Sequence, residues 1–358
     1  MGMSPIWARP RKLGYAHCMI RVGLIGYGLA GASFHAPLIG AVPGLRLVSI
    51  VTSRRGDVAR DRPEVTVVVD AARLMADPAI DLVVIATPDH LHAPLAQAAL
   101  SAGKHVVIDK PFVTDPADGA ALITLAESHG LMLSAFHNRR WDADFLTVQR
   151  VVADGVLGDI ALAELRWDRF RPAIKLGWRE TQGAGLLNDL GPHLLDQALV
   201  LFGAPDAVSA DLATQRTSAT TEDYFEITLS YGSRRVIVSA ATLLAQPRPR
   251  FALYGTAGSF VKHGIDPQEA VLRAGLPPTS PGFGEDGPDA YGTLTAADGT
   301  TRSEPSVRGD WRRYYEGVVA AITVGAGAPV PARDAQAVME LIALARRSAD
   351  EGQRLPLA

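Results

Sequence analysis

Cysteine is nearly absent: Cys18 is the single one in a chain of 358 residues. That excludes an intrachain disulfide and any cysteine-based metal cluster, and it suits a reducing cytoplasm as the expected location. Lysine is scarce too, confined to Lys12, Lys104, Lys110, Lys175 and Lys262, while arginine carries most of the positive charge. No apolar run approaches the ~20 residues of a membrane span. Segment 1–18 contains proline and arginine and lacks the apolar stretch of roughly 7–15 residues of a secretory signal. It reads as a disordered extension. The net charge of −3 gives no electrostatic reason to expect nucleic acid or a membrane surface as partner. Against these absences, 47% of residues are apolar and 20% charged, enough for a sizeable core, and the length suits two domains.

Apolar runs at 21–26, 45–52, 66–69, 82–86, 105–108 and 132–136 are apolar nearly throughout rather than alternating, as parallel strands covered on both faces require. Helical patterns lie between them at 30–42, 71–76, 93–101 and 116–129. The last has Asp115 as N-cap, Pro116 at its first position and Gly130 as its stop. This repetition predicts right-handed crossovers and a doubly wound parallel sheet. Beyond 136 the pattern changes. Helices are expected at 142–154 and 190–202, and strands at 161–170, 207–215, 224–231, 235–242, 250–254 and 259–262. Several of these strands alternate polar and apolar residues, as in an antiparallel sheet with unlike faces. A Gly/Pro-rich loop at 277–288 precedes closing helices at 310–324 and 332–351. The expected plan is an extension over 1–18, a dinucleotide-type domain over 19–138, and an α+β domain over 139–358 with a large, mostly antiparallel open sheet.

The first strand runs into Gly26-Tyr27-Gly28-Leu29-Ala30-Gly31. In such a loop the first glycine permits the tight turn and the second lets the backbone approach a pyrophosphate. The third packs helix on strand, so that the helix amides face the phosphates. The motif alone is weak; here a strand precedes it and a helix follows, which points to dinucleotide binding. The second strand bears on which dinucleotide. An NAD site ends that strand with a carboxylate on the ribose, whereas this chain reads Val51-Thr52-Ser53-Arg54-Arg55 with none until Asp57. Ser53 and Arg54 suit a 2′-phosphate, favouring NADP over NAD. The alternative is a solvated arginine pair on a surface loop.

Strand four ends in Thr87-Pro88-Asp89-His90-Leu91-His92 and strand five in Asp109-Lys110-Pro111, both at carboxyl ends where doubly wound folds place ligands. Further on, Gly183-Ala184-Gly185-Leu186-Leu187-Asn188-Asp189-Leu190-Gly191-Pro192-His193 enters a helix. His35, His90, His92 and His137 also lie near strand ends, yet no histidine pair at helical spacing has a third ligand in view, so no metal is expected.

With these segments the chain resembles the Gfo/Idh/MocA oxidoreductase family from Ile20 onward. The glycine loop, the Thr-Pro-Asp-His segment, a Glu-Lys-Pro-type motif and the glycine-rich approach to Asp-x-Gly-x-His carry the resemblance. Phe34-His35-Ala36-Pro37-Leu38, Asn138-Arg139-Arg140-Trp141-Asp142, Trp178-Arg179-Glu180 and 255–262 are similar to an NADP-using inositol dehydrogenase branch. Two positions depart: Asp109 stands where the family has glutamate, and Ala184 interrupts its triple glycine.

The resemblance implies that Lys110, Asp189 and His193 meet over a nicotinamide. His193 would move the proton, Lys110 would stabilise charge on the same oxygen, and Asp189 would orient the imidazole or touch a substrate hydroxyl. The alternatives are an interior histidine, and an Asp189 that merely caps a helix starting after it. The expected cofactor contacts are Gly26, Tyr27, Gly28, Leu29, Ala30, Gly31, Ser53, Arg54, Thr87, Pro88, His90, His92, Asp109, Lys110 and Asn138. Arg139, Trp178 and Arg179 are candidate substrate contacts, with domain packing as their alternative. The expected activity is hydride transfer between NAD(P) and a secondary alcohol of a cyclic polyol or sugar, in a homodimer or homotetramer joined through the second sheet. An aldose or deoxy-sugar reductase, or a non-catalytic dinucleotide-binding regulator, is the alternative.

Overall fold

The computed structural model describes residues 19–174 and 185–357. The extension over 1–18, Ala184 and the candidate contacts Trp178 and Arg179 lie outside the described residues.

Six strands, β1 (Ile20–Ile25), β2 (Leu45–Val51), β3 (Thr66–Val68), β4 (Leu82–Ile85), β5 (His105–Ile108) and β6 (Leu133–Ala135), form a parallel sheet in the order β3-β2-β1-β4-β5-β6. All four residues of β4 are buried, as the unbroken apolar run requires when helices cover both faces. The order reverses between β1 and β4, opening a crevice at their carboxyl ends. The helix Pro116–His129 starts and stops at the expected residues: Asp115 accepts from the Ala117 amide, and Gly130 ends it at φ 64°.

The remaining strands are β7 (Ile160–Asp168), β8 (Ala207–Ala213), β9 (Tyr224–Tyr231), β10 (Arg234–Ala241), β11 (Phe251–Gly255), β12 (Gly258–Lys262), β13 (Gly292–Ala296), β14 (Thr301–Glu304) and β15 (Leu355–Pro356). They make a nine-stranded sheet ordered β14-β13-β12-β11-β7-β10-β9-β8-β15. Within it β7 and β10 pair parallel and the other neighbours antiparallel. Leu165, Val238, Ile227 and Phe251 sit side by side in this register and are fully buried. They mark the inner face, on which the helix Gly185–Phe202 packs.

The C-terminal region packs back on the parallel sheet. Tyr314, in the helix Arg312–Val324, donates its hydroxyl to Ser134 Oγ at 2.9 Å, and Ser134 donates to the Val330 carbonyl at 2.8 Å. Trp311 meets Phe34 edge-on at 5.7 Å. These contacts tie segment 311–330 to β6 and to the turn after the glycine loop, and the cavity described next is lined from the ends of both β5 and β7.

Several elements escape the sequence patterns. The helix Arg55–Asp61 buries only Val58, and β14 is exposed along most of its length, so neither carries an apolar rhythm to detect. The helix expected over 30–42 begins instead with a wider π-helical turn, Ala30–His35, before α-helical Ala36–Ala41.

Candidate active site

The glycine loop has the geometry its residues require. Gly26 adopts φ +102°, and a Cβ there would lie 2.3 Å from the Ala86 carbonyl oxygen. A Cβ on Gly31 would lie 2.1 Å from the Gly26 carbonyl oxygen, whereas one on Gly28 would meet nothing within 4 Å. Two glycines therefore serve strand–helix packing, and the middle one faces open space where a phosphate can approach the backbone. Tyr27 turns its ring into the core and Leu29 stays exposed. At the end of β2, Ser53 and Arg54 are both exposed; the Arg54 amide donates to Thr52 Oγ1 at 3.0 Å and its carbonyl accepts from the Val58 amide at 3.2 Å. Neither of these two side chains is anionic, so neither repels a 2′-phosphate. A dinucleotide fits this cradle.

At the end of β5, Lys110 precedes Pro111 through a cis peptide bond. Its Nζ donates to Asp189 Oδ1 and to the Asp189 main-chain oxygen, each at 2.8 Å. An ammonium has three donors, so one is left for a ligand oxygen. Asp189 also accepts from Arg169 at 3.2 Å. The helix carrying Asp189 begins at Gly185, five residues ahead of the expected 190. Pro192 suggests a late start, since proline normally sits in a first turn. It is tolerated inside the helix because Gly191 has no Cβ to clash with the proline ring. Asp189 is thus no N-cap: it stands one turn before His193, and both side chains line the same cavity.

His193 is buried, with Nδ1 unpartnered among the described residues and its ring 5.9 Å from that of Trp167. Burial, reinforced by the positive charges of Lys110 and Arg139, holds the imidazole well below its ordinary pKa. At neutral pH it is an uncharged ring able to accept a proton. Asp109 sits behind Lys110. Burial alone would raise its pKa, but the His35 imidazole 3.8 Å away and the nearby Lys110 charge bring the net shift downward. His35 in turn meets the Tyr315 hydroxyl at 2.6 Å.

The cavity measures about 390 Å³ and takes in Leu29, Ala30, Asp109, Lys110, Asn138, Asp189 and His193. Other expected contacts lie elsewhere. His92 is buried, with its ring nitrogens 2.7 Å from the Pro111 carbonyl and 3.1 Å from the Thr87 carbonyl; it braces two loops and has no free edge for a cofactor. The His90 side chain is 68% exposed. Arg139 lines the cavity, but its guanidinium is committed to Glu269 and to Asp142 at 3.3 Å, between the faces of Trp167 and Trp311. Domain packing describes it better than substrate contact.

Sequence reading missed Trp167, Arg169, Arg171, Arg216, Glu222, Asp223 and Glu269 in the same wall. The alternation Trp167-Asp168-Arg169-Phe170-Arg171 was the available signal, because every second residue of an extended chain shares a face. Among the described residues no group of three or more His, Cys, Asp or Glu is placed to hold a metal. No described helix is long and apolar enough to cross a membrane.

The family model for the NAD-binding Rossmann fold of an oxidoreductase family matches residues 20–137, and that for the family's C-terminal alpha/beta domain matches 149–357. The uncharacterized oxidoreductase YdgJ of Escherichia coli is 47% identical over 95% of this chain and 99% of its own. The scyllo-inositol 2-dehydrogenase (NADP(+)) IolW of Bacillus subtilis is 40% identical, over 94% and 96%. Among solved structures, the yvaA oxidoreductase of Bacillus subtilis superposes with a TM-score of 0.93 at 40% identity, covering 95% of this chain and 99% of that one.

Proposed function

Because the chain belongs to the Gfo/Idh/MocA family of NAD-binding oxidoreductases, we propose that it oxidises a secondary alcohol of a cyclic polyol or sugar reversibly to the ketone, with NADP preferred. The observation that carries this reading is the meeting of Lys110, Asp189 and His193 in one cavity beside the glycine loop. A bound nicotinamide supplies the hydride acceptor. The chain supplies the rest. Neutral His193 takes the hydroxyl proton as the carbon–hydrogen bond breaks. Lys110 donates its remaining N–H to the same oxygen and stabilises the charge developing there. Asp189 fixes the ammonium through two contacts, so the donor is aimed before substrate arrives. A non-catalytic regulator has no physical need for this group.

NADP preference rests on exposed Ser53 and Arg54 at the end of β2, and IolW, named as NADP(+)-dependent, supports it. The substrate in that relative's name supports an inositol-like ring. The test is reduced-cofactor absorbance over a panel of inositols and sugars, with NAD and NADP in parallel. Turnover with ring polyols, faster with NADP, is expected; no cofactor reduction by any alcohol overturns the reading.

A further inference from the structure

The wall of the cavity is heavily charged, and its charges do not all cancel. Asp189 is shared by Lys110 at 2.8 Å and Arg169 at 3.2 Å. Glu269 holds both Arg139 and Arg273, the latter at 3.1 Å. Asp223 pairs with Arg216 at 2.7 Å, and Glu222 with Arg346 at 2.8 Å. Arg171 lines the cavity too, yet among the described residues its guanidinium makes no ion pair or hydrogen bond. Only its main chain is engaged: the amide donates to the Thr242 carbonyl at 2.7 Å, and the carbonyl accepts from Arg216 at 3.2 Å.

That main chain also fixes where Arg171 points. Beyond β7 the chain stays extended beside the end of β10, with the Arg169 amide on the Ala241 carbonyl at 2.9 Å. Trp167, Arg169 and Arg171 therefore share one face and all line the cavity, while Phe170 projects outward, 58% exposed. Trp167 stands beside His193, Arg169 reaches Asp189, and Arg171 is a further two residues out, about 7 Å along an extended chain. Arg169 feels the arrangement: burial lowers its pKa, and the like charge of Arg171 adds to the lowering despite Asp189. Two guanidiniums on one extended face, with Asp189 paired to Arg169 and Lys110, leave a cationic subsite displaced along the chain from Trp167 and His193.

We propose that Arg171, with Arg169, binds a carboxylate on the substrate, so that the enzyme's preferred substrates are acidic polyols or sugar acids carrying the carboxylate opposite the reacting carbinol. This rests on the dehydrogenase reading above and names its substrate class. A single carboxylate matches the Arg171 guanidinium, which has no ion-pair partner among the described residues, and a planar fork recognises it through two parallel hydrogen bonds. A phosphate, at close to two negative charges, needs more compensation than one free guanidinium provides.

The test compares matched pairs of substrates, a six-carbon sugar or polyol and its uronate or aldonate, in the full-length enzyme with NADP. The acidic member is expected to show at least a ten-fold higher kcat/KM. In Arg171→Gln that preference falls at least ten-fold, and in Arg171→Lys, which keeps charge without the fork, it falls less. Replacing a side chain that makes no ion pair or hydrogen bond among the described residues strips no partner of its contact, and the wild-type comparison stands alone if a variant misfolds. Equal or better use of the neutral member by the wild type overturns the carboxylate subsite and leaves the dehydrogenase reading intact. An unchanged preference in Arg171→Gln overturns the role of Arg171. No turnover of either member overturns the dehydrogenase reading and the subsite with it.

Discussion

Two residues, Lys110 and His193, stand in one cavity, and the charge state of the second depends on the first. Asp189 holds the ammonium, and that ammonium, with Arg139 and burial, keeps the imidazole neutral. Replacing His193 by Ala is expected to lower turnover by roughly 10²–10⁴-fold, the usual worth of a general acid–base group, while sparing cofactor binding measured by fluorescence. Near-normal activity would remove His193 from the mechanism. The pH profile gives an independent check. Alcohol oxidation needs the neutral ring, and a lowered pKa means protonation sets in only below the ordinary histidine range. The oxidation rate should therefore stay level as pH falls through 6.5 and decline at lower pH; a midpoint at or above 6.5 would contradict the burial argument.

The elements decide the cofactor and the reach of the site. β2 ends in exposed Ser53 and Arg54, and the short helix Arg55–Asp61 follows at once. Replacing Ser53 by Asp and Arg54 by Ala puts a carboxylate where the ribose lies and removes the guanidinium. The ratio of kcat/KM for NADP over NAD should drop by ten-fold or more; unchanged selectivity would mean that another element holds the phosphate. Both residues were legible because a missing carboxylate shows in the letters. Asp189 was harder. Its place inside a helix depends on Gly191 allowing Pro192 mid-helix, and local rules for proline point the other way. Trp167, Arg169 and Arg171 were missed for a different reason: a strand pattern shows which residues alternate, and says nothing about which face lines a cavity.

At the scale of the molecule, the nine-stranded sheet has one covered face and one open one. Leu162, Ile237 and Tyr254 share the outer face with Glu164, Arg166 and Glu226, all partly or largely exposed. An apolar strip of this kind flanked by ion pairs is costly to leave in water and suits a two-fold contact with a second copy. Sedimentation should therefore show a dimer or tetramer, and Tyr254→Arg, placing charge at that strip, should shift it toward smaller species. A strictly monomeric protein would rule out the interface.

The sequence alone determined the parallel sheet, the glycine loop and the absence of a carboxylate at its ribose end. Each is written in contiguous residues, through unbroken apolar runs and closely spaced glycines, of which Gly26 takes a φ of +102° that other residues rarely adopt. Lys110 and His193 could be singled out, though what joins them could not. Only the tertiary structure brought Asp189 to Lys110 across 79 positions, buried His193 among cations, turned His92 into a brace and committed Arg139 to Glu269. It also left the Arg171 guanidinium without an ion pair among the described residues. Pairing and desolvation are properties of distance in space, and a chain records distance only along itself.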